Sequence, residues 1–264
     1  MSESNKRNFI VHGSILAIAG ILVRIIGMLY RIPVVNIIGS EGNGIYGAAF
    51  NIYNIMLVLS SYGLPMAVSK LVSARFTKKR YKSAAKVLRC SLMVAVCTGG
   101  IAALLVFFGA SFIENVIYGG GLPGLAIPLR ILAPTIFLVA ILGVIRGFFQ
   151  GQSTMIPTAV SQILEQIVNA IVSIAAGYGM MKAFASSPDV AAYGAAGSTL
   201  GTAMGALTAV LFMGFLYAVY TPTFNRLKRK DRHTENQSTG QICKIIIYTM
   251  IPIILGQTFY QISA

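Results

Sequence analysis

The run CSLMVAVCTGGIAALLVFFGASFI, residues 90–113, decides the fold, because none of its 24 side chains carries a charge. A helix needs about 20 apolar residues to cross the roughly 30 Å of hydrocarbon in a bilayer. Two more uncharged runs, Gly42 to Ser69 and Ala195 to Tyr220, are also long enough. The sequence therefore predicts an all-α polytopic membrane protein.

The composition agrees with this fold class. Hydrophobic residues make up 56% of the 264 positions and charged residues only 11%. A soluble domain of this length carries about 25% charged residues to cover its surface. Most of the predicted surface therefore faces something other than water.

Apolar runs and their breaks divide the chain into six predicted helices and the start of a seventh. The six helices cover residues 9–30, 45–71, 90–113, 128–149, 157–181 and 195–220. We expect residues 1–220 to form one transmembrane unit, 221–241 a basic linker, and 242–264 the first helix of a second unit. An unpaired seventh helix is typical of a fragment or early-terminated version of a longer chain; an ordinary seven-helix protein is the alternative.

The net charge of +14 is concentrated in the connections between the apolar runs. Seven Lys and Arg residues lie in 75–89 and five in 226–232. With a cytoplasmic N-terminus, 16 of the 21 basic residues fall on the cytoplasmic side, as the positive-inside rule requires. This pattern indicates membrane topology and contact with anionic lipids, not binding to nucleic acid.

Residues for enzyme chemistry are scarce. The chain lacks a GxxxxGK[ST] phosphate-binding loop, and six of its seven carboxylates lie in loops or termini. Three cysteines without a CxxC pair and two histidines form no metal-ligand pattern. We therefore predict no catalytic residue, no metal and no cofactor.

A polar stripe runs along the predicted fifth helix. Gln162, Glu165, Gln166, Asn169 and Ser173 recur at spacings of three and four residues. A carboxylate about 14 Å inside a helix is costly in hydrocarbon unless it is paired or hydrated. The stripe either lines a water-filled cavity or makes hydrogen bonds between helices, and the sequence leaves both open.

Two arginines on the first helix form a second candidate group. Arg24 and Arg31 are seven residues apart and therefore share a helix face. Guanidinium groups so placed suit a pyrophosphate, although Arg31 also fits an interfacial residue that extends to the membrane surface. Asn51 and Asn54 on the second helix are expected either to add polar contacts or to pair helices.

The two polar residues at the end of the fourth helix have a simpler interpretation. Arg146 and Gln150 lie at its predicted cytoplasmic end. Residues at such positions usually set membrane topology. We do not expect them to bind a ligand.

Three stretches together resemble a known family. They read GLPMAVSKLVS at residues 63–73, RGFFQGQ at 146–152 and IPTAVSQILEQIV at 156–168. In this order they are similar to the polysaccharide-biosynthesis branch of the multidrug/oligosaccharidyl-lipid/polysaccharide (MOP) exporter superfamily. Within it they look most like stage V sporulation proteins and lipid II flippases.

The resemblance implies two six-helix lobes around a central cavity, operated by alternating access. The chain would supply the first lobe and the opening helix of the second. Lipid II flippases carry cavity arginines in an Arg-x-x-Gly-x-x-Arg pattern; Arg24-Ile-Ile-Gly27 matches it, whereas Arg31 comes one residue late.

These observations lead to one functional hypothesis and two alternatives. The resemblance implies a bacterial cytoplasmic-membrane flippase for an undecaprenyl-pyrophosphate-linked saccharide from peptidoglycan, spore-cortex or polysaccharide synthesis. Its predicted cavity residues are Arg24, Arg31, Asn51, Asn54, Gln162, Glu165, Gln166 and Asn169. The alternatives are a cation-coupled multidrug exporter of the same fold and a non-transporting scaffold for cell-wall synthesis enzymes.

Overall fold

The computed structural model describes residues 3–232 and 238–263, which fold into an all-helical bundle. Its α-helices are α1 (Glu3–Ser60), α2 (Gly63–Thr77), α3 (Tyr81–Phe112), α4 (Ala126–Gly151), α5 (Ile156–Ala183), α6 (Val190–Lys230) and α7 (Thr239–Ser263), and a short π-helix, Ile113–Ile117, follows α3. In this part of the chain, six apolar segments are long enough to cross a membrane. The predicted fold class is confirmed.

The first of these segments, residues 14–77, is 64 residues long and reverses direction at Gly39. Gly39 adopts φ 70°, which glycine tolerates because it lacks a Cβ. Tyr30 on one side of the reversal interacts with Tyr46 on the other, so the two arms of α1 run side by side. The segment thus supplies two passes, and its turn at Gly39 lies within the predicted connection between residues 30 and 45, although α1 remains helical past Pro33.

The basic segments are more helical than predicted. Only residues 78–80 separate α2 from α3, although we expected a loop over 75–89. Likewise, α6 continues to Lys230, well into the segment predicted as a linker; residues 233–237 of that segment lie outside the described residues. Lys and Arg are good helix formers, so these helices extend past the apolar runs into water.

Two buried clusters form the core at opposite ends of the bundle. The cluster at the basic end, where α2 ends and α3 begins, includes Val72, Val87, Phe148 and Phe224. The cluster at the opposite end includes Ile38, Ala110, Leu129 and Ala192. Large apolar side chains on the outer face of α3 remain exposed, as expected of a surface that faces lipid.

Helices α5 and α6 make the most extensive contact in the bundle, through glycines on α6. A Cβ atom placed on Gly197 would lie 2.9 Å from Gly177 Cα and closer still to the carbonyl oxygen of Ala176. Small residues at such positions allow two helix backbones to approach closely. The close approach holds α5 at a fixed position against α6.

This contact predicts that Gly197→Ala destabilises the bundle, whereas Gly214→Ala on the same helix does not. The methyl group at 197 meets backbone atoms that cannot move aside, which costs about 1–3 kcal/mol of unfolding free energy. At Gly214 no heavy atom lies within 4 Å of the added Cβ, and alanine favours the helix by up to about 1 kcal/mol. Thermal unfolding in detergent measures both; equal melting temperatures for the two variants would contradict this account of the contact.

Candidate functional site

An ion pair joins α4 and α5 inside the bundle. Arg146 Nη2 lies 2.7 Å from Glu165 Oε2, and the two side chains are 14% and 26% exposed. Arg146 comes five residues before the end of α4, and Glu165 nine residues after the start of α5. The short turn between the two helices places both residues toward the same end of the bundle, and the long Arg146 side chain spans the difference of about 6 Å between their backbone depths.

Hydrogen bonds fix the orientation of the guanidinium group. Arg146 Nε donates to Ser161 Oγ at 2.9 Å, and Ser161 Oγ donates to the Thr158 carbonyl oxygen at 2.8 Å. Gln150 Nε2 lies 3.5 Å from Thr158 Oγ1. Arg146 is thus held by side chains of α5, a contact that the sequence did not predict.

The second half of the polar stripe contacts other helices. Asn169 Nδ2 donates to Tyr30 Oη at 3.3 Å, and Asn169 Oδ1 accepts from Ser173 Oγ at 2.9 Å. Ser173 Oγ also lies 2.8 Å from the Ser198 carbonyl oxygen on α6. Asn169 is 8% exposed and Ser173 is fully buried, so these two side chains join α1, α5 and α6.

The first half of the stripe is more accessible. Gln162, Glu165 and Gln166 are each half-buried. A Cβ on Gly27 would lie 3.4 Å from Gln166 Nε2, which places Gln166 against the first arm of α1. Tyr53, on the second arm, lies near Glu165. The accessible part of the stripe therefore faces both arms of α1.

Both candidate arginines on α1 are exposed. At 100° per residue, Arg24 and Arg31 lie on one side of the Gly27 direction and Tyr30 on the other. Because Gly27 and Tyr30 contact α5, the two arginines lie beside the α1–α5 contact and not on the far face of α1. They therefore border the polar face of α5.

The paired tyrosines set the depth of the remaining candidates. Arg24 lies six residues before Tyr30, and Asn51 lies five residues after Tyr46. At 1.5 Å per residue, both are about 8–9 Å from the tyrosine pair, on the side toward the basic end. Asn51 is exposed and Asn54 is half-buried. Glu165 precedes Asn169, the partner of Tyr30, by four residues, so Arg24, Asn51 and Glu165 lie at a similar level and Asn54 about one turn closer to the basic end.

A groove between α2 and α7 was not predicted. It has a volume of about 1040 Å³ and carries two cations, Lys70 and Lys244, beside the apolar side chains of Met66 and Ile253. Met250 of α7 packs on Gly63 of α2 next to it. The sequence feature that could have indicated this groove is Lys70, an isolated charge at the end of an apolar helix.

Comparison with known proteins supports the family resemblance. Residues 10–261 match the family model described as polysaccharide biosynthesis protein. The chain is 34% identical over 176 residues to the lipid II flippase MurJ of Bacillus subtilis, covering 64% of this chain and 32% of that protein. It is 30% identical over 210 residues to stage V sporulation protein B of the same organism, covering 79% and 39%.

Solved structures share the fold. A multidrug-resistance MATE-family transporter of the MOP superfamily, in an outward-facing conformation, superposes with a TM-score of 0.73 at 17% identity, over 94% of this chain and 53% of that one. A MOP superfamily transporter from Pyrococcus furiosus gives 0.70 at 18% identity, over 93% and 52%. The chain spans less than half the length of the curated relatives that it matches. It belongs to the polysaccharide biosynthesis protein family and has the helical fold of MOP superfamily transporters.

Proposed function

We propose that the chain forms part of a membrane flippase that moves an undecaprenyl-pyrophosphate-linked saccharide across the bacterial cytoplasmic membrane by alternating access. The observation that carries the proposal is the largely buried but accessible Arg146–Glu165 pair, which lies at a similar level to the exposed Arg24. Charges at that depth are expensive in hydrocarbon and indicate a wet pathway or an ionic substrate. The name of one Bacillus relative, the lipid II flippase MurJ, points to the same class of transport.

The arginines provide chemistry for the substrate. Arg24 and Arg31 lie about 10 Å apart along α1, on the same side of the α5 contact. A guanidinium group can donate two parallel hydrogen bonds to a phosphate. Arg24 would bind the pyrophosphate, while Asn51, Asn54, Gln162 and Gln166 would donate to or accept from the attached saccharide. Asn169 would act at the edge of this region, because its side chain is already hydrogen-bonded.

The ion pair provides a means of coupling. When Glu165 is charged, it holds Arg146 against α5. When Glu165 takes up a proton, the pair loses its Coulomb attraction and the guanidinium becomes available to an anionic substrate. Glu165 would therefore act as a proton site, and its protonation would let Arg146 exchange the Glu165 carboxylate for a phosphate of the substrate.

The proposed arrangement places residues 1–220 in the first lobe of the transporter and 242–264 in the first helix of a second lobe. The basic end of the bundle would face the cytoplasm, together with the N-terminus. Partners would be the lipid-linked precursor, membrane lipids and enzymes of cell-wall synthesis. The protein itself would carry out no chemical reaction.

A cation-coupled multidrug exporter is the second candidate, because the fold neighbours include MATE-family transporters. Such a protein binds cationic substrates and requires acidic cavity walls. In this structure the carboxylate of Glu165 is neutralised by Arg146, and two exposed arginines lie on α1, which packs against α5. The charge balance favours an anionic substrate; drug-efflux assays in expressing cells distinguish the two.

The ion pair predicts strong energetic coupling between its two residues. Either Arg146→Gln or Glu165→Gln alone leaves one charge without its partner and should cost about 2–3 kcal/mol of unfolding free energy. The double variant should lose clearly less than the sum of the two single changes. Arg130→Gln, at an exposed arginine bonded to Ser111, is the matched control and should change stability by less than about 0.5 kcal/mol. Melting temperatures in detergent of the parent, the two single variants and the double variant complete this double-mutant cycle. Additive losses of stability would disprove the coupling.

Transport should depend on Arg24. In the complete protein, Arg24→Gln should slow precursor translocation at least about tenfold, because a charge-assisted hydrogen bond to phosphate contributes about 1.5–3 kcal/mol. Arg130→Gln removes the same charge at the opposite end of the bundle and should leave the rate unchanged. A translocation assay with spore-cortex and vegetative precursors measures both variants. Normal translocation by Arg24→Gln would remove Arg24 from the site.

The proposed orientation makes the two ends of the bundle chemically distinguishable. A cysteine introduced at Lys78, in the turn before α3, should be protected from a membrane-impermeant maleimide in intact cells. A cysteine at the exposed Asn115, at the opposite end, should react. Both should react after permeabilisation, with the parent chain giving the background from its own cysteines. The reverse pattern would invert the topology.

A further inference from the structure

A cationic pocket of about 500 Å³ lies at the basic end, on the side of the bundle where α3, α6 and α7 meet. Four of its lining side chains are basic, three from α3 and one from α6: Lys82, Lys86, Arg89 and Lys228. It is separate from the ion pair between α4 and α5 and from the groove between α2 and α7. The function proposed above makes no use of it.

Contacts between helices hold the walls of this pocket in place. The backbone N–H of Lys82 donates to Asp231 Oδ2 at 2.8 Å, and Asp231 is only 5% exposed. This bond ties the end of α6 to the first turn of α3. The Nζ atom of Lys228 lies 5.2 Å from the ring centroid of Phe224, a buried aromatic residue. The cations are therefore presented by a preformed surface.

The arrangement of these cations differs from that of basic residues that only set membrane topology. Basic residues that set topology need only lie near the membrane surface, each extending separately into water. Here four cations from two helices line one concavity, and the nearby carboxylate of Asp231 offsets only part of their charge, so the concavity attracts an anion. The start of α7 at Thr239 lies on the same wall and adds the positive end of a helix dipole.

The apolar part of the pocket indicates what kind of anion fits. Met93 lies one turn beyond Arg89 on α3 and is 48% exposed. The same helix continues toward the middle of the membrane with exposed Val96, Ile101 and Leu104. A ligand bound by the cations could therefore extend a hydrocarbon chain along α3. A free phosphate has no part that would use this surface.

We propose that the pocket binds the phosphate headgroup of an anionic membrane lipid, with one acyl chain lying along α3. Lys82, Arg89 and Lys228 are the headgroup ligands, and Met93 begins the acyl contact. The pocket includes Thr239 of α7, whose carbonyl oxygen lies 3.8 Å from Cys90 Sγ of α3. A bound headgroup therefore strengthens the attachment of α7 to α3 and α6, so that lipid composition influences the position of α7.

The test is a lipid titration of the purified chain in neutral detergent, monitored by native mass spectrometry. Phosphatidylglycerol is the probe, phosphatidylcholine the lipid control, and inorganic phosphate the competitor. Lys82→Gln/Arg89→Gln is the pocket variant. Lys78→Gln/Arg80→Gln removes one lysine and one arginine from the exposed turn before α3 and is the matched control.

We expect the parent chain to bind one phosphatidylglycerol preferentially, and the pocket variant to bind it about tenfold or more weakly, since each basic residue contributes about fivefold. The matched control should stay within about twofold of the parent. Equal losses in the two variants would assign binding to diffuse surface charge. Equal affinity for phosphatidylcholine, or displacement of the lipid by an equal concentration of phosphate, would also overturn the proposal.

Folding of the pocket variant is monitored by its melting temperature without lipid. Lys82 and Arg89 are exposed, so their replacement should leave that temperature unchanged. Added phosphatidylglycerol should raise the melting temperature of the parent but not of the pocket variant. Should the variant fail to fold, preference of the parent for phosphatidylglycerol over phosphatidylcholine and its resistance to phosphate still decide the question.

Discussion

A carboxylate inside a membrane helix requires a partner, and the pairing of Glu165 with Arg146 at 2.7 Å is the interaction on which the arrangement of this bundle depends. The pair fixes the relative depth of α4 and α5, because a slide of one helix by a single turn would separate the charges by about 5 Å. Ser161 and Thr158 extend the same bonds along α5. An apolar contact of similar size would hold the helices together but would not specify their register.

The close contact of α5 with α6 complements the ion pair. Gly197 and Gly201 of α6 leave room for the α5 backbone and for the buried hydroxyl of Ser173. Ser173 and Asn169 then satisfy each other and the α6 backbone by hydrogen bonds. Because one side of α5 packs against α6 in this way, the other polar residues of α5 face α1. Packing and the accessible polar face are two consequences of the same helix position.

The sequence was most informative about properties that depend on one helix alone. The uncharged run at residues 90–113 identified a membrane helix because hydrocarbon excludes charge over a known thickness. Helix ends were less predictable, because the end of an apolar run does not end a helix when good helix formers such as Lys and Arg follow it. Helix α6 continues to Lys230 for this reason. The turn in α1 could be predicted only as lying between residues 30 and 45; the positive φ of Gly39 fixes its position, whereas Pro33 lies inside the helix.

The candidate site was harder to predict because its contacts join different helices. Glu165 was identified as anomalous from its depth alone, but nothing in the spacing of residues named Arg146 as its partner. The polar stripe had two open interpretations, and the structure shows that its residues differ: Ser173 is buried among hydrogen-bond partners, whereas Gln162 stays half-exposed. Helix α7 packs mainly against α2 and α3 and so leaves this part of α5 uncovered. Arg24 and Arg31 cannot face hydrocarbon without great cost, so the surface they share with α5 must meet water or further helices. The proposed cavity would use this surface of α1 and α5 as one of its walls.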